Sequence, residues 1–257
     1  MRVVDIHTHI LPGIDDGAKD VSEAVSMVSM QKKIGVNKII LTPHYNPYDD
    51  LDVFLEKRSV SYSELTSTLN DSNVEFLLGC EVLYSSKLLD LDLDKLTLGD
   101  TGYILIEFGY GSPSTEVIRA FETIINSGYT PILAHVERYS FIRDNLDLLY
   151  ELASIGVLTQ FNAEVFLNEK ERSFLKACEK HNLIHLLGSD AHGVARRAPN
   201  LGEVYSVISP DLKDYVVDNA QRVFFDRPVQ VRKPSKVKKI FNIYIGSMKI
   251  HGVEEES

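Results

Sequence analysis

Short apolar runs alternate with longer amphipathic stretches along most of the chain. The runs VVDI at 3–6, VNKIILTPH at 36–44, VEFLLGCEV at 74–82, YILIEF at 103–108, TPILAHVE at 130–137, VLTQFN at 157–162 and IHLLGSD at 184–190 are bounded by Gly, Pro or Asn. Each predicts a strand. They are apolar at nearly every position, not at alternate ones, which predicts strands buried on both faces of a parallel sheet. Helical patterns fill most of the gaps. Asp20 followed by Glu23 forms a capping box for VSEAVSMVSMQKKI, and Gly35 stops it. Further helices are predicted over 51–69, 114–127 with Gly128 as its stop, 143–155 with Gly156 as its stop, and 169–181. The segment 83–100 is less regular and reads as a hairpin or loop excursion. Seven strands alternating with helices, without internal repeats or a low-complexity linker, predict one α/β domain. A closed or distorted barrel is favoured over an open sheet.

Composition narrows the class. At 44% hydrophobic and 25% charged, the 257 residues can build a sizeable core. The formal charge of -10 argues against nucleic acid or an anionic membrane as partner. That charge is uneven: residues 230–257 carry net +3 and residues 1–229 carry -13. The boundary at 229/230 therefore separates a catalytic-size unit, 1–229, from a basic extension, 230–257, read as a solvated tail. Two cysteines, Cys80 and Cys178, provide neither a disulfide framework nor a thiolate metal site. No signal-peptide pattern and no membrane-spanning apolar run occurs, so a cytoplasmic location is expected.

The polar residues then change the picture. His7 and His9 follow the first predicted strand, and Asp15 and Asp16 lie just beyond in IDDG. His44, Glu81, Glu107 and His135 sit at the ends of the next four strands, Asn162 ends the sixth, and Asp190 and His192 end the seventh. In a parallel α/β barrel the carboxyl ends of the strands meet on one face, where active sites are built. One HxH is weak, and a single buried Glu is most often an ion-pair partner. Five of the eight histidines at the same end of successive strands is a different observation. Imidazoles and carboxylates without thiolates suit divalent Mn, Fe, Zn or Co. With Asp16 the set holds nine ligand-type groups, enough for two to three ions, and Glu81 is placed to bridge two of them. His181, His185 and His251 fall outside the pattern and read as structural or solvated.

The segments DIHTHILPGIDDG, LTPHYNP, GCEV, LIEFG, AHVERY and GSDAHGVARR resemble the polymerase-and-histidinol-phosphatase (PHP) superfamily. More closely they resemble its bacterial manganese-dependent protein-tyrosine phosphatases of capsular and exopolysaccharide operons. The resemblance runs from residue 1 to about 228, including NAQRVFFDRPV. It implies a distorted seven-stranded (β/α)7 TIM-like barrel with a trinuclear centre. It implies one ion held by His7, His9, Glu81 and Asp190, a second by Glu81, Glu107 and His135, and a third by Asp16, His44 and His192. Asp15 is then a loop or supporting residue. Arg138 and Arg197 are implied as the catalytic, phosphate-binding arginines, with Arg196 able to share or replace that role. A guanidinium fork matches phosphate oxygens, which agrees. The implied reaction is metal-assisted hydrolysis of phosphotyrosine in a protein, with a bacterial tyrosine kinase tail as substrate. Contact with the membrane would then be peripheral, through the kinase.

Rival readings share parts of the pattern. A histidinol-phosphate phosphatase has the same chemistry on a smaller substrate. Amidohydrolases also open with HxH but usually carry a bridging lysine where this chain has Glu107. A DNA-processing exonuclease fits poorly with the acidic barrel. A non-catalytic partner-binding barrel fits poorly with all nine ligand-type residues being present. A cysteine phosphatase is excluded, because Ser86 and Ile184 stand where an arginine would have to follow Cys80 and Cys178. GYGSPS lacks the Gly-Lys-Ser/Thr ending of a P-loop.

Overall fold

A computed structural model of the protein describes residues 3–69 and 73–237. Among them are nine strands, every pair of neighbours parallel, in two sheets. The first sheet has the order β1 (Val3–Asp5), β2 (Val36–Leu41), β4 (Glu75–Leu78). The second has the order β3 (His44–Tyr45), β5 (Glu81–Leu83), β6 (Tyr103–Glu107), β7 (Thr130–Leu133), β8 (Leu158–Asn162), β9 (Leu186–Gly188). The chain is thus an α/β fold with a curled parallel sheet.

The count of seven unbroken strands needs correction. The predicted strand 36–44 divides into β2 and β3, and the predicted strand 74–82 into β4 and β5. The breaks have a local cause. Pro43 has no N–H to give a ladder, so the chain changes sheets there. Opposite it, Gly79 lies so close to Leu98 that a Cβ would approach its Cδ2 to 2.8 Å. The hydrogen bonds Gly79 N to Leu41 O, 2.8 Å, and Glu81 N to Pro43 O, 3.0 Å, carry the paired chains across the break together. The result places His44 and Glu81 directly opposite each other in register.

The last strand returns to the first. Asp190 N donates to His7 O at 2.8 Å and His9 N donates to Ala191 O at 2.9 Å. The apolar residues divide into two clusters. One includes Val4, Ile6, Ile40, Leu105, Ile132 and Leu186. The other includes Ile39, Leu41, Ile104, Ile106 and Leu133, packed with helix residues such as Val28, Phe121 and Leu149. Alternate residues of each strand thus face opposite sides, and both sides are covered, as the unbroken apolar runs require.

Helix α1 (Val21–Lys33) begins where Asp20 accepts from Glu23 N at 2.9 Å. α2 (Leu51–Thr68) is capped by Asp50, and α3 (Ser114–Asn126) stops before Gly128. The helix expected over 143–155 is two: α4 (Ser140–Arg143) and α5 (Leu146–Ile155), the latter ended by Gly156 at φ 107°. α6 (Arg172–Lys180) is preceded by a 3-10 turn. The excursion over 83–100 contains two 3-10 turns, Ser86–Asp90 and Leu93–Leu96, and no hairpin.

Two helices after β9 had no strand-helix rhythm to announce them. α7 (Leu201–Val207) packs on the 163–167 turn. α8 (Pro210–Phe224) packs on both β1 and β9 and buries Val216, Ala220, Val223 and Phe224 across the place where the first and last strands meet. The described start of the basic extension follows this body closely. Val229 N donates to the Tyr103 hydroxyl (3.1 Å), Gln230 N to Asn219 Oδ1 (3.2 Å) and Ser235 N to His181 O (3.1 Å). Residues 230–237 are therefore laid along α6 and α8, not projected into solvent. The rest of the expectation for the tail, 238–257, lies outside the described residues. No helix among the described residues is long and apolar enough to cross a membrane.

Candidate metal centre

All nine ligand-type residues converge at the carboxyl ends of the strands. His7 and His9 extend β1 at the centre, both fully buried. Two glycines allow this. A Cβ on Gly17 would come within 2.0 Å of His9 O, and one on Gly188 within 2.6 Å of His7 Cβ. His7 Nε2 lies 3.1 Å from Glu81 Oε2 and 3.4 Å from Asp190 Oδ1. His9 Nε2 lies 3.2 Å and 3.4 Å from the same two oxygens. His135 Nε2 is 2.8 Å from Glu81 Oε1 and 3.4 Å from Glu107 Oε2. His44 Nδ1 is 3.2 Å from Glu81 Oε2 and 3.5 Å from Glu107 Oε1. Asp16 Oδ1 stands 3.4 Å from His44 Nε2 and 3.3 Å from His192 Nε2. Ligand atoms close enough to share an ion form three groups: His7, His9, Glu81 and Asp190; His44, Glu81 and Glu107; His9, Asp16, His44 and His192. Glu81 belongs to two of them.

The two adjacent aspartates differ in surroundings. Asp15 Oδ2 accepts from His9 Nδ1 at 2.7 Å and from His44 N at 3.0 Å, while its Oδ1 accepts from Gly17 N at 2.9 Å. Both its oxygens are committed to holding the loop and the His9 ring. Burial works against its charge, but the His9 hydrogen bond outweighs that and brings the carboxyl down to about 2. Asp16 instead is 68% exposed and points one oxygen at two imidazoles.

The electrostatics ask for positive charge. Burial alone would push the Glu81 carboxyl up, yet the His7 and His135 imidazoles hold it well below the ordinary range. Asp190 is likewise held low by His7 and His9 against the effect of burial. Burial acts to depress His135, but the Glu81 charge and its hydrogen bonds with Glu107 and Glu81 lift it to about 10. His9 is raised well above its usual value by Asp15, Asp190 and Glu81, again against burial. His192 is pushed down to about 4 by burial and by the His9 charge, although Asp190 stands 3.5 Å from its Nδ1. Protons on these rings and divalent cations are alternative answers to the same surplus of anionic oxygens. Glu81 Oε1 and Oε2, Asp190 Oδ1 and His192 Nε2 are buried, and no hydrogen bond of good geometry among the described residues reaches them. Their near neighbours are one another, imidazole nitrogens and carboxylate oxygens 2.8–3.4 Å apart. The donor set, its spacing and this crowding of ligand atoms fit bound divalent metal.

Arginines line the same centre. Asp190 Oδ2 pairs with Arg138 Nη2 at 2.8 Å and with Arg197 Nη2. Arg197 Nε is buried without a hydrogen-bond partner, a donor left for something else. Arg196 is exposed. Backbone strain gathers here too: His135, Asp190 and Arg197 all take positive φ, between 32° and 50°. That is uncommon for residues with a Cβ and typical of functional sites. The two cysteines take no part. Burial pushes the Cys80 thiol up to about 12 and raises Cys178 as well.

Behind the ligands stand Gln160 and Glu137, which sequence reasoning missed, and Asn162, which it noted only as the end of a strand. Gln160 Oε1 accepts from His7 Nδ1 at 3.0 Å and from His135 N at 2.9 Å. Gln160 Nε2 donates to Asn162 Oδ1 at 3.0 Å, and Asn162 Nδ2 donates to Asp190 Oδ2 at 2.7 Å. The buried Glu137 accepts from Asn162 N at 3.2 Å and is raised to about 7 by burial. Their one signal in the sequence was a pair of polar residues two apart in an otherwise apolar strand, VLTQFN. Spacing of two places both on one face of β8.

Residues 3–233 match the family described as capsular polysaccharide synthesis, CpsB/CapC. The chain is 28% identical over 244 residues to tyrosine-protein phosphatase CpsB of Streptococcus agalactiae, covering 90% of this chain and 98% of that protein. It is 30% identical over 260 residues to tyrosine-protein phosphatase YwqE of Bacillus subtilis, covering 94% and 100%. Among solved structures it matches one from work on YwqE of Bacillus subtilis and CpsB of Streptococcus pneumoniae, unique metal-dependent tyrosine phosphatases. That match has a TM-score of 0.81 at 30% identity, with 92% of this chain and 100% of the other covered.

Proposed function

The chain belongs to the capsular polysaccharide synthesis CpsB/CapC family, and on that premise we propose that it is a metal-dependent protein-tyrosine phosphatase. The observation that carries the chemistry is the buried cluster of Glu81, Asp190 and His192 atoms, crowded together without hydrogen bonds of good geometry, beside two arginines. The ions it would take are two to three, with manganese favoured and iron, zinc or cobalt compatible with the same donors. His7, His9, Glu81 and Asp190 would hold one, Glu81, Glu107 and His135 a second, and Asp16, His44 and His192 a third. When bound, such cations lower the pKa of water and neutralise charge on phosphoryl oxygens.

The chain's own groups do the rest. Arg138 and Arg197 present N–H donors to a phosphate and are held in place by their shared partner Asp190. Arg196 lies close in sequence and is exposed, able to meet the substrate further out. Asp15 fixes His9 with its Nε2 toward the centre. The leaving tyrosine has a phenol pKa of ~10 and needs less protonation than an alkoxide would. The same premise supports counting the nine strands as seven barrel positions, with 36–45 and 75–83 one position each. It also supports residues 1–229 as the phosphatase unit, a cytoplasmic location, and the phosphotyrosine tail of a bacterial kinase as substrate.

Chelator-stripped protein, assayed with and without Mn²⁺ on a phosphotyrosine peptide and on histidinol phosphate, tests this reading. Turnover of the peptide only with metal is expected. Metal-independent turnover removes the mechanism, and preference for histidinol phosphate removes the tyrosine assignment. Metal uptake with no turnover of either ester favours a non-catalytic barrel.

A further inference from the structure

β8 brings no charged residue or histidine to the centre, yet its Gln160 and Asn162 touch His7, His135 and Asp190, which come from three other strand ends. We propose that Gln160 and Asn162 are positioning residues that form an amide relay, setting His7, His135 and Asp190 in mutual register for metal binding. This rests on the metal-centre reading above and not on the choice of substrate.

The direction of every bond in the relay is fixed from its ends. The His135 backbone N–H can only donate, so the Gln160 atom 2.9 Å from it is the oxygen. That same oxygen lies 3.0 Å from His7 Nδ1, which must therefore carry the proton. His7 Nε2 is then the nitrogen left to meet an ion, and it faces Glu81 and Asp190. The other end of the Gln160 amide is the NH2 group, so it donates to Asn162 Oδ1. Asn162 is left with its own NH2 facing Asp190 Oδ2, a carboxylate that can only accept while ionised. One amide flip anywhere would set like against like at two contacts.

The relay also joins separate groups. Gln160 Oε1 serves His7, of the Asp190 group, and the backbone of His135, whose Nε2 lies 2.8 Å from Glu81 Oε1 and 3.4 Å from Glu107 Oε2. His135 is held there in a left-handed conformation, φ 32°. Both relay residues, and the Asp190 they reach, are at most 1% exposed, so water does not compete. Gly188 leaves the room: a Cβ there would stand 3.1 Å from Gln160 Nε2. Glu137 steadies the far end through Asn162 N. Partners that orient a metal-bound imidazole and fix its tautomer carry affinity although they never touch the ion.

The test titrates Mn²⁺ into chelator-stripped full-length protein by calorimetry, with Co²⁺ absorption as a reporter of ligand geometry. Three variants are compared: Gln160→Met removes the whole relay, Gln160→Glu keeps the acceptor but not the donor, and Asn162→Leu removes the Asp190 arm. In the folded variants Gln160→Met should lose about 10–100-fold in Mn²⁺ affinity, with an altered Co²⁺ spectrum. Gln160→Glu should recover part of that loss, since the His7 and His135 contacts persist. Asn162→Leu should weaken binding less than Gln160→Met. If Gln160→Met does not fold, Asn162→Leu and Gln160→Glu still read the two arms. Wild-type isotherms and spectra in every folded variant overturn the relay alone. So does a Gln160→Glu variant as weak as Gln160→Met. A wild-type protein that takes up no Mn²⁺ overturns the metal reading beneath it.

Discussion

His135 and His185 lie at opposite ends of strands two apart in the same sheet, and both are buried. Their surroundings push them in opposite directions. At the carboxyl end of β7, His135 faces Glu81 and Glu107 and is raised to about 10. At the amino end of β9, burial lowers His185 to about 4. His185 has no carboxylate against it; its Nδ1 accepts from Thr159 N at 3.0 Å and its carbonyl accepts from Asn219 Nδ2 at 3.1 Å. Burial alone therefore does not mark a metal ligand. Around His185 the Thr159 N–H answers Nδ1, and Nε2 is buried without a hydrogen-bond partner among the described residues. At the other end of the sheet, buried imidazoles crowd anionic oxygens that protons or cations answer. The useful signal is a buried imidazole aimed at buried carboxylate oxygens.

The comparison breaks most visibly in turnover. His135→Ala should cost on the order of 10³-fold in kcat/KM, since cations contribute several kcal/mol to such transition states. Far-UV circular dichroism should be unchanged. His185→Asn, which keeps an acceptor for Thr159 N, should leave turnover near wild type. Equal losses in the two variants would mean the distinction between the ends is false.

Stability against pH reads His185 directly. Its folded pKa lies below the unfolded value, so the unfolded chain binds more protons between about pH 4 and 6.5. Its contribution is complete above pH 6.5 and is lost as pH falls toward 4, a limb worth about 3 kcal/mol. Urea titrations of chelated protein should show this limb in wild type and a flatter one in His185→Asn. His135 acts with the opposite sign in chelated protein: its contribution is complete below about pH 6.5 and fades as pH climbs toward 10.

Metal removal sharpens the contrast from the other side. Mn²⁺ at about a hundredfold over its Kd should stabilise the fold by about 2.7 kcal/mol, seen as a lower Tm in chelator and recovery on readdition. His185→Asn should keep that increment, and Glu81→Gln should lose most of it. The smallest effect is expected at the arginines. Arg197→Lys keeps the charge but loses the fork, and should raise KM for a phosphotyrosine peptide about tenfold, roughly 1.4 kcal/mol. An unchanged KM would place the phosphate elsewhere.

Much of the fold was legible because parallel strands buried on both faces leave a clear mark. The runs at 103–108 and 157–162 match β6 and β8 to within one residue at each end. The site was legible because its ligands sit at the ends of those runs. Where the reading failed, the local mark was present but its consequence lay in the pairing. Pro43 lacks a ladder donor, but only the paired chains show that β2–β3 and β4–β5 break together. α8 seals the meeting of β1 and β9, yet its own segment shows only amphipathicity. Residues 230–237 carry basic side chains that suggest solvent, but their backbone is held by Tyr103, Asn219 and His181.

The sequence by itself determined the chemistry: which donor types are present, that thiolates are absent from the set, and that the donors collect at one end of a parallel sheet. Periodicity and composition are properties of the chain, and they survive without knowledge of contacts. Only the tertiary structure decided which of two adjacent aspartates meets His44 and His192 and which holds His9. It also turned Gln160 and Asn162 from polar marks in a strand into a hydrogen-bonded link between ligands. Such roles depend on which atom faces which across segments up to 153 residues apart, and hydrogen bonds discriminate at the scale of an ångström.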